Sequence, residues 1–169
     1  MAQLDERLLD VNQHGVLRIP AEIWLALVFL ARHWVLMLLV TVIARRSKEA
    51  YILFGSDFSW IVIAIEVPAL LMAVLCVRRV PQAGGLVRRL WPLARHLGAA
   101  TAAMHLIYVA WYLWNSSYWL PWPELFLASC ALIDLVIITS LFRSPHLKRV
   151  FAEFPAPRTE SQTSTPSAT

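Results

Sequence analysis

The chain has 169 residues, of which 59% are hydrophobic and 15% charged, with a formal net charge of +4. Soluble domains average about 45–50% apolar and about 25% charged residues, so this composition excludes an ordinary water-soluble domain and indicates an integral membrane protein of one domain. Lys and Arg gather beside the apolar runs, which is how charge is deployed to orient membrane segments, so no nucleic-acid partner is expected.

The predicted fold class is all-α, a four-helix membrane bundle with both termini cytosolic. Residues 1–22 form a polar cytosolic lead-in, with Asp5, Glu6, Asp10, Asn12 and His14 and no long apolar face. The membrane domain spans 23–150, with helices at about 23–43, 59–77, 97–115 and 123–142. Pro20 suits a first helical turn, where its missing amide hydrogen has no partner to lose, and Trp24 follows at interfacial depth. The first apolar run is too long for a signal-peptide core and ends in Ala44-Arg45-Arg46 without a small-residue cleavage site, so it is expected to stay as an anchor. At 1.5 Å per residue, its 21 residues reach roughly 31 Å, the thickness of a bilayer core. Arg32 and His33 fall in its middle.

The connector 44–58 carries Arg45, Arg46 and Lys48, then Tyr51 to Phe58, and is expected to lie along the surface. In the second helix Pro68 should produce a kink, freeing the carbonyl of Ala64 close to Glu66. Arg78, Arg79, Arg88, Arg89 and Arg95, interrupted by Pro81, Gly84-Gly85 and Pro92, read as a basic interfacial loop. The third helix opens with the small residues Gly98 to Ala103, which let neighbouring backbones approach closely. Its inner face at spacing three and four is Gly98, Thr101, Ala102, His105, Tyr108, Val109 and Tyr112. Tyr108, Trp111, Tyr112, Trp114, Tyr118, Trp119 and Trp122 then form an aromatic belt over an uncharged turn. The fourth helix has Glu124 in its first turn, favoured by the helix dipole, and Asp134 near its centre. Residues 151–169 are too poor in apolar groups to repay ordering and are expected to be disordered.

The positive-inside rule sets the orientation. Arg7, Arg18, the five arginines of the middle loop, Arg143, Lys148, Arg149 and Arg158 fall on one side, against Arg45, Arg46 and Lys48 on the other. Both termini are therefore expected in the cytosol.

Five ionisable residues lie inside the apolar runs: Arg32, His33, Glu66, His105 and Asp134. A charge at the centre of a lipid-spanning helix costs about 2.5–3.5 kcal/mol on insertion scales, so these side chains are expected to turn toward one another. Arg32 is expected to pair with Asp134, Glu66 or both, with the histidines completing the hydrogen bonds. Such a pair serves equally to fix helix register or to line an ion path. Two histidines on different helices could hold a b-type haem, but His33 lies about 100° round the helix from Arg32, so both cannot face one centre. No cofactor and no metal are expected. Cys76 and Cys130 sit in apolar runs without ligand spacing and read as packing residues. No catalytic motif is present, neither GxSxG, HExxH nor a Gly-rich phosphate loop, so an enzyme is not expected.

Asp10, Gly15, Leu17, Pro20 and Trp24, then Phe29-Leu30-Ala31-Arg32, and Val67-Pro68-Ala69-Leu70-Leu71 ahead of Arg78-Arg79, resemble the YfeZ-like family of small bacterial inner-membrane proteins of unknown function. The resemblance covers roughly the first half of the chain and the four-helix layout of the rest. The family pattern has a small residue where Glu66 stands and a Tyr-Pro pair where this chain has Phe54-Gly55. The resemblance implies a multi-pass protein of the bacterial inner membrane with Arg32 at a family-type position, and it supplies no activity. The functional expectation is a non-enzymatic accessory or assembly partner of other membrane proteins, in contact with the lipid bilayer and able to self-associate. The alternative is a small oligomeric transporter or channel that uses the Arg/Asp/Glu/His cluster.

Overall fold

The computed structural model describes residues 16–44, 60–115 and 121–156. The expected lead-in before residue 16, the surface connector over 45–58, the aromatic turn over 116–120 and the tail from 157 onward lie outside the described residues. Among the described residues the chain is helical, with α1 Ala21–Leu30, α2 Arg32–Ala44, α3 Trp60–Ile65, α4 Val67–Val77, α5 Gly85–Leu90, α6 Ala94–Asn115, α7 Pro121–Arg143 and α8 Pro145–Ala152. A 3₁₀ turn, Trp91–Leu93, joins α5 to α6.

Three helical stretches are long and apolar enough to cross a membrane: Trp60–Val77, Gly85–Asn115 and Glu124–Arg143. The pair Ala21–Leu30 and Arg32–Leu39 makes a fourth if counted as one span, but it is bent by 72°. The outward-facing side chains are apolar: Leu25, Val28, Leu38, Val42, Ile61, Ile107 and Leu132 are all exposed. Such a surface suits acyl chains rather than water.

Helix α6 is the central element, packing on α7 and α4 and touching α1 and α3. Its buried face is Ala94, Gly98, Thr101, Ala102, His105 and Val109, largely the small-residue face expected from its spacing. Gly98 is packed tightly between α4 and α7: a methyl group there would lie 2.7 Å from Met72 Sδ and 3.4 Å from Leu141 Cδ1.

Two features depart from the sequence reading, and a third, the interruption of the second helix beside Pro68, falls where it was expected. The first helix is broken at Ala31, between α1 and α2, rather than running straight through Arg32 and His33. The second is interrupted at Glu66, two residues before Pro68, because proline at the second position of α4 cannot donate a backbone hydrogen bond. The stretch expected as a basic loop is largely helical, with Gly84 preceding α5 and Pro92 tolerated in the short 3₁₀ turn.

At the end of the bundle where the chain leaves α7, Ser144 caps α8 by accepting from the Leu147 N–H at 3.3 Å. Leu147, Val150 and Phe151 of α8 are buried, and the ring of Trp91 lies 5.4 Å from that of Phe151 and 6.1 Å from that of Phe154. Arg79 is buried with them. Its guanidinium donates to the carbonyls of Leu17 at 2.6 Å, Val150 at 3.2 Å and Glu153 at 2.9 Å, and stacks 4.8 Å above Trp91. One side chain thus ties together the entry to α1, the exit from α4 and the end of α8. The segment expected as the start of the tail, 151–156, takes part in this packing.

Candidate functional site

The break at Ala31 creates two loose helix ends, and polar side chains satisfy both. At the C-terminal end of α1, Arg32 Nη1 donates to the Phe29 carbonyl at 3.2 Å, and its guanidinium lies 4.7 Å over the Phe29 ring. At the N-terminal end of α2, the backbone N–H groups of His33 and Trp34 donate to Glu66 Oε2 at 3.1 and 3.3 Å. A cation at a helix C-terminus and an anion at an N-terminus are both favoured by the helix dipole. No proline or glycine stands at the break. Tertiary contacts with Glu66 hold it open, and the Trp34 indole adds a bond from Nε1 to the Ile63 carbonyl at 3.1 Å, at the interrupted end of α3.

With Oε2 held by backbone amides, Glu66 Oε1 becomes the meeting point of the two histidines. His33 Nδ1 lies 2.5 Å from it and His105 Nε2 3.5 Å. The other ring nitrogen of His105, Nδ1, lies 3.5 Å from Asp134 Oδ1 and 3.4 Å from Arg32 Nη1. Glu66, Asp134 and His105 are at most 1% exposed, whereas the His33 side chain keeps 31% of its surface accessible. The chain His33–Glu66–His105–Asp134 therefore runs from a partly open edge into the fully buried interior.

All five residues singled out from the sequence meet here, but with different partners from those expected. Among the described residues Arg32 makes no ion pair with Glu66 or Asp134; the histidines bridge the carboxylates instead. The reason is the bend, which folds Arg32 back on Phe29 and turns His33 toward Glu66.

Two features are incomplete. Among the described residues His105 Nε2 makes no hydrogen bond despite its closeness to Glu66, and neither oxygen of Asp134 is hydrogen-bonded. In formal charge, two carboxylates face one guanidinium, leaving one negative charge when the histidines are neutral. Buried groups of this kind carry a large penalty unless something completes them.

Sequence reasoning missed Phe29 and Trp34 as members of the site. Phe29 acts through its carbonyl and ring face, and Trp34 through an amide and an indole that only the bend exposes. Neither has a local signature.

No curated protein and no solved structure matches the chain. A family model described as a protein of unknown function (DUF2919) matches residues 7–153, which takes in every helix of the bundle and all five polar residues. The chain thus belongs to the DUF2919 family of proteins of unknown function.

Proposed function

We propose that this chain is a multi-pass protein of the bacterial inner membrane that handles a small cation within its bundle, as a transporter or channel and not as an enzyme. The observation that carries this reading is Glu66, fully buried between two interrupted helices, with the N-terminus of α2 aimed at its carboxylate. Interrupted helices around a charged residue are the recurrent way membrane transporters build ion sites, because an unwound backbone is tolerated only where it lines a polar interior. The excess negative charge of the cluster calls for a cation. The resemblance to the YfeZ-like group supports the bacterial inner membrane, and the distribution of Lys and Arg supports cytosolic termini.

The test is cation uptake into proteoliposomes, with Glu66→Gln protein that elutes from gel filtration like the unaltered chain as the control. Uptake by the parent and its loss in the variant support the reading, while equal behaviour of both removes it.

A second reading, an accessory or assembly partner of other membrane proteins, is favoured by an apolar concavity of about 400 Å³ lined by Ile61, Ile65, Met104, Ile107, Tyr108 and Trp111. Copurification of a defined complex from native membranes, lost on Ile107→Arg, would support that role.

A further inference from the structure

We propose that His33, Glu66 and His105 form a binding site for a divalent transition-metal ion of the zinc class, with Asp134 orienting His105 from behind. The inference rests on the cation-handling reading and names its ligand. One ligand atom from each of the three residues falls within 4.8 Å of the others. Two imidazoles and a carboxylate are the donor set of open zinc sites, which bind with three protein ligands and leave a fourth position free. The same set suits neighbouring divalent metals of the first transition series and disfavours calcium and magnesium, which prefer oxygen donors.

Glu66 Oε1 faces His33 Nδ1 and His105 Nε2, and the backbone amides of His33 and Trp34 bond the carboxylate chiefly through Oε2, so one oxygen is presented to both rings. His105 Nε2 is buried, points at Glu66 and has no hydrogen-bond partner among the described residues. Behind it, Nδ1 faces Asp134 Oδ1 at 3.5 Å. A carboxylate on the far nitrogen of a ligating histidine is the usual supporting contact in metal sites, since it fixes the tautomer and raises the ring's basicity. The formal charge agrees: a divalent ion with one monoanionic fourth ligand brings Arg32, Glu66, Asp134 and the ion to zero.

Metal entry requires two adjustments. The 2.5 Å contact between His33 and Glu66 must open, because ligands about 2.0 Å from a tetrahedral ion stand roughly 3.3 Å apart. His33 is the member with freedom to move, since its side chain is partly exposed at a helix start. A metal on Nε2 of His105 also places the ring proton on Nδ1, facing Asp134, and Arg32 can only donate, so it must leave its 3.4 Å contact with that nitrogen.

The test is titration of the tag-free, full-length chain in detergent with Co²⁺, whose visible absorption reports tetrahedral nitrogen and oxygen coordination. The expected result is one ion per chain, with the absorption lost in His33→Gln and in His105→Gln. Asp134→Asn should retain the spectrum with affinity lowered roughly 10- to 100-fold. His33→Gln changes the most exposed member of the set, so it keeps the test decisive if the buried variants do not fold. Absence of stoichiometric Co²⁺ absorption, or binding unchanged in His33→Gln, overturns the proposal. Flux without Co²⁺ binding refutes the metal site and leaves the transport reading standing; Co²⁺ binding without uptake in liposomes does the reverse.

Discussion

Two buried charged residues do different work in this molecule. Glu66 receives the amides of a helix that would otherwise have no acceptor, and Arg79 gives its protons to three carbonyls on segments far apart in the chain. Removing Arg79 leaves those carbonyls unpaired among apolar rings, where each unmade bond to a charged group costs about 1.5–3 kcal/mol. Arg79→Ala should therefore destabilise the protein by on the order of 4 kcal/mol or more in thermal unfolding in detergent and expose α8 to limited proteolysis ahead of the bundle. Arg79→Lys should rescue little, because an ammonium cannot spread a planar fork across three acceptors. At this scale the sequence was partly legible. An ionisable residue inside an apolar run announces itself, and all five members of the cluster stood out for that reason. Arg79 did not, because it follows the apolar run among other arginines and has the same signature as a topology charge. The pairing was also beyond reach: whether Arg32 meets a carboxylate or a histidine depends on the direction of its side chain, which the bend at Ala31 decides.

Helices α1 and α2 would read as one on any measure of propensity, since the residues around Ala31 include neither proline nor glycine. The break is stable because α3 and α4 deliver Glu66 to the start of α2, so the cause lies in another element. Pro68 gave a visible warning for α4, and the interruption lies two residues from it. Helix α8 was missed from the sequence, although Ser144-Pro145 followed by Leu147, Val150 and Phe151 at helical spacing is a start signal with an apolar face. Close packing of α4 against α6 makes Gly98 the sharpest test at this scale. Gly98→Val would drive its side chain into Met72 and Leu141, and overpacking of this kind costs about 1–3 kcal/mol. A lowered thermal midpoint is expected, and partial recovery is expected when Met72→Ala is added, because the nearest clash is with that thioether. Unaltered stability of the single variant would mean that the two helices are further apart than described.

Among the described residues the molecule is a set of apolar helices round one continuous apolar core that reaches to Trp91, Val150 and Phe151 beside Arg79, with the polar cluster set inside it. Hydropathy alone made the helical class and the number of long apolar segments readable, because these depend on composition over about 20 residues. The route by which distant segments converge on one carboxylate did not, since it depends on which helix ends are left open. If the interior holds a transition metal, protons must compete for the same imidazole nitrogens, which ligate only when neutral. Co²⁺ affinity should accordingly fall as pH is lowered and recover on return to higher pH. Affinity that is flat from pH 7.5 to 5.5 would exclude histidine ligation. The central claim, that the polar residues turn inward onto Glu66, is tested most directly by solid-state NMR of the protein in bilayers with labelled histidine and glutamate. A through-space correlation between the His33 ring nitrogen and the Glu66 carboxyl carbon is predicted from their 2.5 Å nitrogen–oxygen contact, together with its loss in Glu66→Gln. A His33 ring that shows contacts to lipid acyl chains and none to Glu66 would contradict the account.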